Sequence, residues 1–273
     1  MSTAGKDLLT AGNTQHMRQL TLFLLAHQDD EFAVYFEIER TLALGGRAIC
    51  LYLTDGSART VPRRRNEESL AVLARLGVPS ADVHFLGESL NVVDGQLVEH
   101  LERAYHALKA FLPNLGPISR LVIHAWEGGH PDHDAAHLLG LTLAQSLGCL
   151  ESSRQFTSYR AAAGLAPLFA LFRPLSANGY VESNRIPVSA RLRYVGYSLS
   201  YKTQRGTFLA LLPLMIFDYM FHGTQKLQPL DRPRALERPH PGKLLYEARS
   251  GLAFETFWLR AAEFVRTRVP SHG

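Results

Sequence analysis

Cysteine is nearly missing from this chain of 273 residues, which has only two, Cys50 and Cys149. Two thiols so far apart make neither a disulfide framework nor a thiolate metal site, and they read as reduced core residues of a cytoplasmic protein. Long hydrophobic runs are missing too. The opening MSTAGKDLLTAGNTQHMRQ has no apolar stretch of the kind a signal peptide needs. The most apolar run, FLALLPLMIF at 208–217, is about half a bilayer span and is followed by Asp218. No transmembrane segment is expected. The run reads as buried core or a subunit contact, which leaves room for a homo-oligomer, with a surface meeting lipid as the second reading. A strong excess of one charge is also lacking: 29 Lys and Arg against 25 Asp and Glu leave a net +4. The arginines are dispersed except for Arg63-Arg64-Arg65, and no recognition motif accompanies them, so nucleic acid is not an expected partner. Internal repeats, low-complexity segments and a Gly-x-Gly-x-x-Gly phosphate fingerprint are absent as well.

What is present begins at residues 20–31, LTLFLLAHQDDE. The apolar run Leu20–Ala26 predicts a strand buried on both faces. His27, Gln28, Asp29, Asp30 and Glu31 follow it directly, and ionised carboxylates leaving a core need partners or a metal. Further strands are expected over 47–54, 82–86 and 120–125. Helices are expected over 32–44, from about Asn66 to Leu76, from about Gln96 to Phe111 and from about Asp132 to Leu147. This alternation predicts an α/β fold, a Rossmann-like, mostly parallel sheet with helices on both faces. Residues 1–18 read as a flexible leader and 19–273 as a single domain. Within it, 19–150 form the Rossmann-like core, and 151–273 are an extension that covers the sheet and walls the site. In that extension, 191–204 are expected to hold a strand running into a helix, and 249–266 a helix.

Two polar clusters stand at the ends of predicted strands one and four, AHQDDE at 26–31 and EGGHPDHDAAH at 127–137. In one parallel sheet both ends open on the same rim, where open α/β sheets bind ligands. His27 and Asp30, three apart on a turn, and His133 at a helix start can form a His-Asp-His set that leaves a position for water, the pattern of catalytic zinc. Asp29, beside a ligand, is placed to be the general base. His130 is placed to stabilise an oxyanion or protonate a leaving amine. Gly129 lets a substrate lie against its loop. Arg65, after the second strand on the same rim, is a candidate for an anionic group of the substrate. His124, inside a strand, reads as a core histidine, and His137 as a residue that packs or hydrogen-bonds behind the ligands.

AHQDDE followed by HPDHDAAH resembles the PIG-L/LmbE family of zinc-dependent N-acetylglucosaminyl deacetylases, whose first motif reads AHPDDE. The likeness extends to TDGSARTVPRRRNEESLAVLARLGV at 54–78 and to Tyr201-Lys202-Thr203-Gln204, so it covers roughly 20–205. The resemblance implies zinc on His27, Asp30 and His133, Asp29 as base and His130 as the group that polarises the carbonyl or stabilises the tetrahedral intermediate. The implied substrate is a small N-acetylated amino sugar or glycoconjugate. One departure stands out: Gln28 occupies the place of the family proline, loosening the turn and adding an amide that could touch substrate. Fe²⁺ or another divalent ion suits a His₂Asp set too. The competing reading is a noncatalytic sugar- or nucleotide-binding doubly wound domain.

Overall fold

The computed structural model describes residues 19–57, 61–162 and 169–268. The expected leader over 1–18 lies outside the described residues. The chain opens with β1 (Leu20–Leu25), a single 3-10 turn, α1 (Tyr35–Ala43), β2 (Arg47–Tyr52), α2 (Pro62–Leu76), β3 (Val83–Phe85) and the one-turn α3 (Leu86–Ser89). It continues through α4 (Leu101–Phe111), β4 (Ile118–His124), α5 (Pro131–Ser146) and β5 (Arg154–Phe156). Pro62 starts α2 four residues earlier than the periodicity of the sequence suggests, because proline at the first helical position has its φ already set and lacks only an N–H that would be unpaired there.

The main sheet runs in the order β3-β2-β1-β4-β5, all parallel, and is extended by two later antiparallel strands. Alternate residues of β1 point to opposite faces. Leu20, Leu22, Leu24 and Ala26 join a core with α4 and α5, whereas Phe23 and Leu25 join a second core with α1 and α2. Each fully buried Leu or Phe contributes about 1.5–3 kcal/mol relative to exposure, so the two cores hold β1 in register from both sides. The chain leaves β1 toward β2 and β3 on one side and returns with β4 on the other. The carboxyl ends of β1 and β4 are therefore neighbours, with Leu24 opposite Ile123, at the switch point of the sheet.

The second half adds the small hairpin β6 (Tyr159–Ala161) and β7 (Phe169–Leu171), then β8 (Glu182–Arg185), α6 (Val188–Ser198), α7 (Arg205–Phe221) and β9 (Thr224–Pro229). It closes with α8 (Arg232–Ala235), α9 (Leu245–Arg249) and α10 (Phe254–Arg268). Strands β9 and β8 carry the main sheet beyond β5. Residues 191–204 hold no strand: they are the end of α6 and a 3-10 turn, and the buried Ala190, Tyr194 and Tyr197 follow the helical spacing. The apolar run 208–217 lies in α7. Phe208, Leu211 and Met215 face the core, while Leu209, Ile216 and Phe217 are exposed on the outer face. No helix among the described residues is long and apolar enough to cross a membrane.

Candidate metal centre

Beyond Ala26 the chain turns sharply. The His27 N–H donates to Asp30 Oδ2 at 2.6 Å and the Asp30 N–H returns to the His27 carbonyl at 3.2 Å. Asp29 between them has φ of 112°, in the left-handed region that residues other than glycine seldom occupy. On the β4 side, the loop after His124 runs through Gly129, where a Cβ would lie 2.0 Å from the Tyr159 carbonyl oxygen. Glycine is required there by the backbone of β6, which presses on the loop. His130 then caps α5: its Nδ1 accepts the Asp132 N–H at 3.3 Å, so a neutral ring carries its proton on Nε2. His133 follows in the first turn, fully buried.

These two ends converge. Asp30 is the hub, with Oδ1 at 3.0 Å from His133 Nε2 and Oδ2 at 3.4 Å from His27 Nδ1 and 3.1 Å from His124 Nε2. The rings of His27, His130 and His133 lie 4.7–5.4 Å apart between centroids. Among the described residues, three groups of potential ligands have their donor atoms within 4.8 Å of one another: His27, His130 and His133; Asp30, His124 and His133; His27, Asp94 and Asp132. The expected set of His27, Asp30 and His133 bridges the first two groups. Burial works against charge on Asp30, yet His133, His124 and His27 around it hold its carboxyl well below the usual carboxylate range. Burial, reinforced by neighbouring histidines, pushes His130 and His133 down to about 4, so both imidazoles keep their lone pairs at neutral pH. His133 Nδ1 and His124 Nδ1 are buried without a hydrogen-bond partner among the described residues. An ionised carboxylate beside His27 and the neutral, buried imidazole of His133 is a donor set that fits a divalent cation.

A cavity of about 650 Å³ opens beside this cluster, and His27, Asp29, Asp30, Arg65, Gly129 and His130 all line it. Asp29 is raised to about 8 by burial, against the pull of the Arg65 guanidinium 3.2 Å away. Arg65 is itself held fast: it donates to the Gly56 and Gln28 carbonyls and to Asp29 and Asp94. Gln28 does not line the cavity. Its side chain is wholly buried and its amide donates into α2, to Asn66 Oδ1 at 2.7 Å. His124, read as a core histidine, is fully buried and also stacks on the His133 ring at 3.9 Å.

Sequence reasoning missed Asp94 and the reach of Asp132. Asp94 lies 3.2 Å from His27 Nε2 and lines the cavity; Asp132 approaches the same nitrogen at 2.9 Å and accepts the Gly95 and Leu97 N–H groups. Asp94, Asp30 and Asp132 together outweigh burial and raise the pKa of His27. The signal for Asp94 was its place in a polar Asp-Gly turn after the third strand, on the same rim. The late element at 201–204 also has a place here. The Tyr201 hydroxyl donates to Glu31 Oε1, whose other oxygen accepts the Asp29 N–H at 3.0 Å; Thr203 binds Glu68, and Gln204 lines the cavity.

Residues 22–144 match the PIG-L family, described as GlcNAc-PI de-N-acetylase. The matched segment runs from β1 through most of α5 and contains both polar strand ends. Solved structures share the fold. An antimicrobial-reagent pseudoaglycone deacetylase aligns over 78% of this chain and 96% of its own at 18% identity, with a TM-score of 0.55. The N,N'-diacetylchitobiose deacetylase from Pyrococcus horikoshii aligns over 78% and 84% at 15% identity and 0.56. The zinc-inhibited form of teicoplanin deacetylase aligns over 78% and 99% at 15% identity and 0.52. No curated protein sequence matches the chain.

Proposed function

We propose that the chain is a metal-dependent hydrolase that removes an acetyl or related acyl group from the amide nitrogen of an N-acetylated amino sugar or glycoconjugate. The observation that carries this reading is the convergence of His27, Asp30 and the buried His133 beside a cavity that His27, Asp29, Asp30 and His130 line. The PIG-L match over this segment and the deacetylases among the fold neighbours support it.

His27, Asp30 and His133 would hold the ion, with zinc the first choice and Fe²⁺ compatible with the same donors. When bound, such an ion supplies Lewis acidity, making hydroxide available near neutral pH and polarising a carbonyl. Asp29 faces the cavity beside His27 and Asp30, placed to take a proton from the attacking water and later pass it to the departing amine. His130 presents Nε2–H, because Nδ1 is occupied by the α5 backbone, and so can donate to an oxyanion. Water adds to the carbonyl carbon, the C–N bond breaks, and acetate and a free amine leave. Arg65 and Asp94, paired at 3.2 Å on the cavity wall, offer donors and acceptors to sugar hydroxyls. Phe208, Leu211, Leu245 and Leu252 add an apolar side suited to a sugar ring face or an aglycone.

The test is acetate release from a panel of N-acetylated sugars, sugar nucleotides and glycolipids, using protein of defined metal content. Turnover of at least one member that is lost on chelation and restored by the divalent ion is the expected result. Ligand binding without hydrolysis across the panel would favour the noncatalytic reading.

A further inference from the structure

Gln28 lies between a ligand and the base, at the position where the family motif has proline. Proline would fix its own φ and stiffen the turn by covalent means; glutamine does not. The structure shows what stands in its place. The Gln28 side chain is wholly buried, and its Nε2 donates to Asn66 Oδ1 at 2.7 Å and weakly to the Thr54 carbonyl at 3.5 Å. Asn66 Nδ2 donates in turn to Glu88 Oε2 at 2.6 Å. As the acceptor of that bond, Glu88 decides which way the Asn66 amide faces. The Asn66 oxygen is thereby turned toward Gln28, and the Gln28 NH₂ group must meet it. On the opposite side, Gly56 at φ of +67° closes over the amide so tightly that a Cβ there would come within 2.3 Å of Gln28 Oε1. The Gln28 main-chain carbonyl is gripped as well, by Arg65 at 2.5 Å.

The residue held by this grip is Asp29, in its left-handed conformation. Such a backbone persists only where its surroundings over-determine it. We infer that the Gln28–Asn66–Glu88 chain is a positioning device, anchoring the turn to α2 and α3 by hydrogen bonds where the family motif uses a proline ring. Gln28 and Asn66 are then positioning residues that act through Asp29 and His27. The inference rests on the proposed roles of Asp29 as base and His27 as ligand.

A mutant cycle tests it, with zinc affinity measured by chelator competition alongside kcat and KM for acetate release. Asn66→Ala and Gln28→Met each break the chain. Each should lower kcat about tenfold or more with KM nearly unchanged, and weaken zinc binding severalfold, while the circular dichroism spectrum stays that of the wild type. The double variant should be no worse than the poorer single one. Gln28→Pro restores a stiff turn, so adding Asn66→Ala to that background should cost at most threefold. Wild-type kcat and zinc affinity in Asn66→Ala would overturn the inference. So would multiplying losses in the double variant, or an undiminished loss in the proline background. A wild type that takes up no zinc overturns the metal reading and this inference together. A zinc-binding wild type whose chain variants bind zinc equally well overturns this inference alone.

Discussion

The two strand ends that meet at the centre are built in different ways. On the β4 side the delivery is local. His130 caps α5, Pro131 occupies the first helical position, and His133 follows within one turn of a helix that is buried over most of its length. The geometry of the helix itself sets where those side chains point. On the β1 side the delivery is remote. Glu31 is tied to Tyr201, 170 residues away in sequence; Asp29 to Arg65 on α2; and Gln28 to Asn66 on the same helix. A tight turn with a left-handed aspartate does not hold itself. Damage on the β4 side should therefore remove a ligand or weaken the fold. Loss of the remote contacts on the β1 side should displace the base more than it disturbs the fold.

The largest effect separates ligands from base. His133→Ala and His27→Ala should each abolish bound metal and turnover together, by elemental analysis and acetate release. Asp29→Asn should keep the metal and lower kcat by about 10²–10⁴-fold, the usual range for removing a general base; loss of the metal in that variant would place Asp29 among the ligands. Tyr201→Phe tests the remote support. It leaves a buried Glu31 oxygen without its donor, which costs about 1–3 kcal/mol in a urea titration, and it should reduce kcat more than His137→Phe on the β4 side does.

The smallest effect concerns pH. Burial raises Asp134, which accepts the Glu127 and Gly128 N–H groups, from the usual 3.8 to about 8. Between those values the folded chain keeps a proton that the unfolded chain has released. Its stabilising contribution is full below about pH 4 and is lost as pH rises through 8. Asp134→Asn keeps an acceptor oxygen and never ionises. The Tm of the variant minus that of the wild type should thus rise steadily from pH 5 to pH 8.5; a constant difference would contradict the shift.

The parallel half of the fold was legible because its strands are nearly continuous apolar runs, buried on both faces, and its helices alternate with them. Both polar clusters were legible because ionisable side chains massed at the end of a buried strand must find a metal or a partner there. The later half was less so. Strand β8 is a half-exposed edge strand reading ESNR, and α6 carries its periodicity on tyrosines and one alanine, so neither left a strong pattern. Inside the site, residue type was readable and direction was not. Gln28 turns inward to α2, and His124 is at once a core residue and a neighbour of Asp30. Asp94 joins the cluster from the turn after α3, where the sequence alone offers no way to tell which side chain faces the rim.

The most direct measurement is the divalent metal content of the purified chain after saturation with zinc and dialysis, set against that of His133→Ala prepared the same way. One ion per wild-type chain and less than a tenth of that in the variant is the predicted result. A wild type that retains none, or a His133→Ala variant that retains as much, would contradict the centre described above.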